Sequence, residues 1–216
     1  AAARDARRVV IPPGTYRLPP LAGGKTHWTL AGLRDVEIVA DGVTLVCTER
    51  TRALHLEACR NVAIRGLAID YDPPPFTQGT ITAVASNAVD VRIDAGYPVE
   101  AWSRIEIVDP ASGIRKRGMP FLWGAKAERR GADTVRVTHE ALGRAAAAGD
   151  RAILSAGPGP SGIPHGIVLE RCAEVTLDRV TLHAAPGMGI LDVGGDGGTR
   201  LDRKSTRLNS SHVSQS

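Results

Sequence analysis

Two aspartates and a histidine are the side chains best placed to do chemistry. Asp70 and Asp72 stand two residues apart just before three consecutive prolines, and His183 follows a Val-Thr-Leu stretch far downstream. A carboxylate beside an imidazole tends to hold the ring charged and oriented, which suits acid–base or ligand-binding work. The competing reading is an outward structural pair, with Asp72 ordering the turn that leads into the prolines. Asp192 and Asp196 border a glycine run, Gly194-Gly195-Asp196-Gly197-Gly198. This lacks phosphate-loop spacing and is not followed by Lys-Ser or Lys-Thr, so it reads as a turn, with Asp192 a fourth ligand-facing candidate. His27, His55, His139 and His165 stand singly, and no metal-ligand spacing, GxSxG or HExxH pattern is present. No metal and no cofactor is expected.

For Asp70 and His183 to meet, the chain must stack distant segments, and an internal repeat provides the means. Three stretches share one pattern: Leu30-Ala-Gly-Leu33-Arg-Asp-Val36-Glu-Ile38, Leu56-Glu-Ala-Cys59-Arg-Asn-Val62-Ala-Ile64 and Leu169-Glu-Arg-Cys172-Ala-Glu-Val175-Thr-Leu177. Apolar residues fall at offsets 0, 3, 6 and 8 in each. The second and third copies continue in register, whereas the first carries extra residues around Asp41-Gly42. Each copy is a set of short, one-face-buried strands too small to fold alone. Stacked as coils of a parallel β-solenoid, equivalent residues would lie roughly 4.8 Å apart around a shared interior. Asp70 and His183 both fall at offset 14, one residue past an inward Ile69 or Leu182, and should therefore point outward on neighbouring coils. Cys59 and Cys172 share an inward offset and read as small interior side chains rather than ligands.

Between the second and third copies the pattern breaks. Strands are expected at Thr80–Val84, Ala88–Ile93, Arg104–Val108, Thr134–Thr138 and Arg151–Leu154, with a brief helical stretch from Glu140 to Ala148. Such spacing predicts a small antiparallel barrel or sandwich. The resulting division is 1–75 for the first coils, 76–158 for the inserted module, 159–201 for the resumed coil and 202–216 for a tail. Asp202–His212, DRKSTRLNSSH, resembles the translation of a sequencing-library adapter, so the natural sequence is expected to depart near residue 201.

Composition narrows the function. With 43% hydrophobic and 23% charged residues the 216-residue chain can bury a core, which excludes global disorder. No apolar run approaches the roughly 18–20 residues of a membrane helix. Aromatic residues make up only 4% and the net charge is +4, a poor platform for nucleic acid. Three cysteines without CxxC spacing are too few for a disulfide framework. The basic runs Arg115-Lys116-Arg117 and Arg129-Arg130 read as solvated loops that an anionic sugar could exploit.

The segments Arg8-Val-Val-Ile11-Pro12-Pro13-Gly14-Thr15-Tyr16-Arg17-Leu18 and the three repeats resemble the opening coils of the right-handed parallel β-helix, or pectin-lyase-like, superfamily. In that resemblance Ala1–Arg7 is the end of a capping helix. The phrase Asp70-Tyr71-Asp72-Pro73-Pro74-Pro75-Phe76-Thr77-Gln78-Gly79, with His183-Ala-Ala-Pro186-Gly187, is similar to β-helix proteins related to the α-1,3-galactosidases of glycoside hydrolase family 110. The resemblance implies an all-β fold, a right-handed parallel β-helix with an inserted small antiparallel β-barrel, and a secreted or periplasmic location. It also implies an oligosaccharide or polysaccharide substrate and an exo-acting, inverting mechanism. The catalytic acids of such a mechanism are expected on later coils, so the chain itself should be inactive. A polysaccharide lyase acting on uronate-containing glycans, and a non-catalytic glycan-binding solenoid, are the alternatives.

Overall fold

The computed structural model describes residues 7–157, 159 and 162–202. The described chain is almost entirely β and divides into two compact units, one within Ala1–Pro73 and Pro164–Ser216, the other Pro74–Ile163.

The first unit begins with β1 (Arg7–Val10), β2 (Gly14–Leu18), β3 (Thr26–Ala31), β4 (Arg34–Cys47), β5 (Arg52–Glu57) and β6 (Arg60–Tyr71). The second unit contributes β7 (Phe76–Val84), β8 (Ala88–Ile93), β9 (Arg104–Val108), β10 (Leu122–Trp123), β11 (Lys126–Arg129), β12 (Thr134–Thr138) and β13 (Arg151–Ser155). The first unit then resumes with β14 (Ile167–Glu170), β15 (Ala173–Asp178), β16 (Thr181–Leu182), β17 (Ile190–Val193) and β18 (Arg200–Leu201).

All pairings in the first unit are parallel. One sheet runs β1 and β2, β4, β6, β15 and β16, β18; the other runs β3, β5, β14, β17. Successive strands therefore alternate between the two sheets, each coil contributing to both, and this is a parallel β-helix. Its hand is the right-handed one that strand twist favours for parallel crossovers. The repeat is the register: Val36 pairs with Val62, Ile38 with Ile64, and Val62 and Ile64 in turn with Val175 and Leu177. Leu56, Ile64, Leu67, Ile69, Leu169 and Val175 are all fully buried, so each coil contributes to several apolar ladders around a shared interior. Each such side chain contributes about 1.5–3 kcal/mol. Cys59 and Cys172 are buried on neighbouring coils, with Ala173 N donating to Cys59 O at 2.9 Å.

Left-handed residues make the corners, and they recur at fixed repeat positions. Gly32, Ala58 and Arg171 have φ of 65, 50 and 52°, and Asp35, Asn61 and Glu174 have 51, 50 and 56°. A further corner lies at Gly66, with φ 73°, and at Arg179, with φ 51°. There the first coil's extra residues bulge, because Val39 pairs with Arg65 but the next pairing is Val43 with Leu67. A Cβ on Gly66 would lie 2.2 Å from Asp41 Oδ1 and 2.9 Å from Asp41 Cα, so the bulge closes over a position only glycine fits.

The second unit is one antiparallel sheet in the order β10, β9, β13, β7, β8, β12, β11. Only Gly124 and Ala125 separate β10 from β11, so the two end strands of this small barrel-like sheet are consecutive in the chain. Ile81, Val91, Ile105, Ile107, Val135 and Leu154 fill its interior.

Two expectations are corrected. Glu140–Ala148 is not a helix: only a 3-10 turn forms, Leu142–Arg144. A Cβ at Gly143 would meet Ser86 O at 2.0 Å, and Ala141 and Leu142 are drawn into the barrel core, so tertiary packing overrides the alanine-rich composition. Arg7 and Arg8 open β1 rather than ending a cap; the rest of that expected helix, and the adapter-like tail after Asp202, lie outside the described residues.

Candidate functional site

The chain places Asp70 and His183 on neighbouring coils. Val46 pairs with Asp70 and Arg17 with Val46, while Leu182 pairs with Ile69 and His183 N donates to Ile69 O at 2.9 Å. Since strands alternate faces, Leu45, Ile69 and Leu182 point in and are buried, and the column Arg17, Val46, Asp70, His183 points out. His183 is exposed and Asp70 half-buried. Asp70 Oδ1 accepts the Tyr71 N–H at 2.8 Å, and no ion pair joins Asp70 to His183 among the described residues. The negative charge of Asp70 reaches inward as well: burial first, and Asp70 second, push the Cys47 thiol up to about 12.

Asp72 continues this edge. Its backbone N–H donates to Cys47 O at 3.0 Å, and its Oδ2 accepts from Arg17 Nη1 at 2.8 Å, with both side chains more than half exposed. Asp72 thus has a guanidinium for company rather than the imidazole. The edge offers carboxylate acceptors and guanidinium and imidazole donors in one exposed strip, a donor–acceptor mix suited to hydroxyl groups.

Asp192 lies elsewhere. It pairs with Leu169 in the other sheet, so it extends the interior column Leu30, Leu56, Leu169, and its Oδ2 accepts from Thr199 Oγ1 at 2.6 Å. The glycine run beside it is a further copy of the repeat. Gly194, with φ 62°, takes the left-handed corner of Gly32, Ala58 and Arg171, and Gly195 stands where a Cβ would be 2.3 Å from Cys172 O.

One constellation escaped the sequence reading. Glu57 and Glu170 pair across neighbouring coils, Arg171 donates to a carboxylate oxygen of each, and His55 Nε2 lies 3.1 Å from Glu170 Oε2. The signal was available: both glutamates directly follow the repeat's first leucine. Arg171 above all holds the Glu170 carboxyl below the usual carboxylate range, so this group has no proton to give near neutral pH. The cluster is a clamp across two neighbouring coils rather than a general acid.

The remaining single histidines are structural. His27 is buried, with Nδ1 2.9 Å from Arg52 O and Nε2 accepting the Glu49 N–H at 3.3 Å. His139 Nδ1 accepts the Ala141 N–H at 3.1 Å. His165 Nδ1 accepts the Met188 N–H at 3.0 Å, and burial, aided by Arg52, lowers its proton affinity. Among the described residues no group of three His, Cys, Asp or Glu side chains is arranged to hold a metal ion, and no helix is long and apolar enough to cross a membrane. No family model and no curated protein sequence matches this chain.

Proposed function

We propose that this chain is part of a carbohydrate-active β-helix protein, an exo-acting inverting glycoside hydrolase of the α-galactosidase type. In this reading the strip bearing Asp70, Asp72 and His183 faces the sugar. The observation that carries it is the placement of His183 beside Asp70 on neighbouring coils, with the Arg17–Asp72 pair at the same edge. A carboxylate that accepts from a sugar hydroxyl makes a charge-assisted hydrogen bond, worth about 1.5–3 kcal/mol. An inverting mechanism needs two carboxyl groups about 6.5–9.5 Å apart with a water between them. The proposal assigns that pair to coils other than those described, and a glycan substrate fits a secreted or periplasmic protein.

Calorimetric titration of the chain with α-1,3-galactobiose tests this. The wild type is expected to bind without hydrolysing the disaccharide, and Asp70→Asn and His183→Gln are each expected to weaken binding by about tenfold, or 1.4 kcal/mol. Undetectable binding by the wild type, or full affinity in both variants, overturns the proposal.

A further inference from the structure

We propose that the barrel carries a separate binding site for an acidic sugar residue, a uronate, built on Trp123 and Phe121 and charged by Arg104 and Arg115. The inference stands on the barrel alone and does not depend on the solenoid strip.

The four side chains form an alternating ladder. The Arg115 guanidinium lies 4.6 Å from the Phe121 ring centroid, and that of Arg104 lies 5.8 Å from Phe121 and 5.3 Å from Trp123. The two rings are 6.4 Å apart and tilted by 38°. Arg104 and Trp123 are cross-strand partners on β9 and β10, so the backbone fixes their spacing. Cations packed on ring faces hold both partners in place before any ligand arrives.

The Trp123 and Arg115 ends of this ladder are open to solvent, whereas Arg104 and Phe121 are half-buried. Trp123 is 46% exposed whereas Trp102, elsewhere in the same unit, is 5% exposed. Gly124, the next residue, has nothing within 4 Å of where a Cβ would stand, so the surface beside the indole is uncrowded. Arg115 stands in a locally basic segment, with Lys116 and Arg117 next to it. Asp109 accepts from Ala111 N, Ser112 N and Ser112 Oγ, and Asp150 pairs with Lys116 at 2.6 Å. Glu106 is the acidic group whose field reaches Arg104. Among the described residues neither Arg115 nor the exposed Arg117 forms an ion pair.

An acidic pyranose matches both halves. Its C–H face packs on an indole, an amphipathic surface common at binding sites. Its carboxylate suits the planar fork of a guanidinium. A stacked nucleobase is the competing occupant, since aromatic and cationic groups also serve single-stranded nucleic acid.

Tryptophan fluorescence of the whole chain titrated with trigalacturonate is the test, with galactotriose and a short oligothymidylate as comparison probes. Trigalacturonate is expected to change the emission, with galactotriose and the oligonucleotide at least about tenfold weaker. Trp123→Phe should remove most of the signal change, and Arg115→Gln should weaken uronate binding about tenfold and flatten its salt dependence without lowering the thermal midpoint. Asp70→Asn should leave uronate binding unchanged, which separates failure of this site from failure of the solenoid strip. Equal affinity for the neutral trisaccharide, preference for the oligonucleotide, or unaltered uronate binding in Arg115→Gln overturns the proposal.

Discussion

Replacing Gly66 by alanine probes the corner that aims the Asp70 segment of β6. Two costs arise there. An L-residue in the left-handed region costs roughly 1–2 kcal/mol. The new Cβ also meets Asp41 Cα at 2.9 Å, and relieving such overpacking costs about 1–3 kcal/mol. Asp41 would have to swing away from Arg179 Nη1, which it now holds at 2.6 Å. Gly24→Ala supplies the control: Gly24 has φ 69° but nothing within 4 Å, so it carries only the first cost. Gly66→Ala is therefore expected to destabilise by about 3 kcal/mol and Gly24→Ala by about 1–2. At a urea dependence of about 2 kcal/mol per M, the former shifts the midpoint by about 1.5 M. Hydrogen exchange read on peptides from residues 60–71 and, separately, from residues 134–138 reports the solenoid apart from the barrel. Equal losses in the two variants, or protection lost first in the barrel peptides, would refute the idea that β6 bends against the Asp41 bulge.

Two further outcomes follow from buried and paired groups. Cys47, Cys59 and Cys172 are buried and free, and burial pushes the Cys47 and Cys59 thiols up, so a thiol reagent at pH 8 should label none of them in the native state and all three in urea. In the barrel both Asp90 oxygens accept from Arg136 at 2.7 Å, and that bond holds the Asp90 carboxyl below its ordinary 3.8. A depressed carboxyl contributes stability that is present above the unfolded value and lost as pH falls through the folded one. Arg136→Met should thus lower barrel stability at pH 6 and flatten its decline below pH 3.8, while an unchanged acid limb would show the pair contributes nothing.

The interior was the legible part of this sequence, because burial writes a residue type at every equivalent position. Offsets 0, 3, 6 and 8 of the repeat became the ladders of Leu56, Cys59, Val62 and Ile64, and the surplus around Asp41 became a bulge. Five barrel strands carried enough alternation to be read. β10 and β11 did not: the first has two residues, and Lys126–Arg129 shows no buried face. The Asp192–Gly198 coil was missed because aspartate and glycine replace the apolar markers, although its corner at Gly194 is regular. Outward residues are harder still. Asp70 and His183 were placed beside each other by counting, yet their hydrogen bonds run to Tyr71 N and Ile69 O, backbone choices that residue types do not reveal. The Glu57–Glu170–Arg171 clamp needed the same counting applied one position after the leucine.

The barrel interrupts the chain between β6 and β14, yet no coil is skipped: β14 pairs with β5 and β15 with β6 as if the strands were consecutive. Those partners must find each other across more than a hundred intervening residues, so the solenoid's assembly is governed by a long-range search that slows folding. Closing a long flexible loop grows only slowly more costly with length, about 0.6 kcal/mol per doubling. A folded barrel would shorten the effective tether further, making the guest module a nucleation aid for the host that carries it.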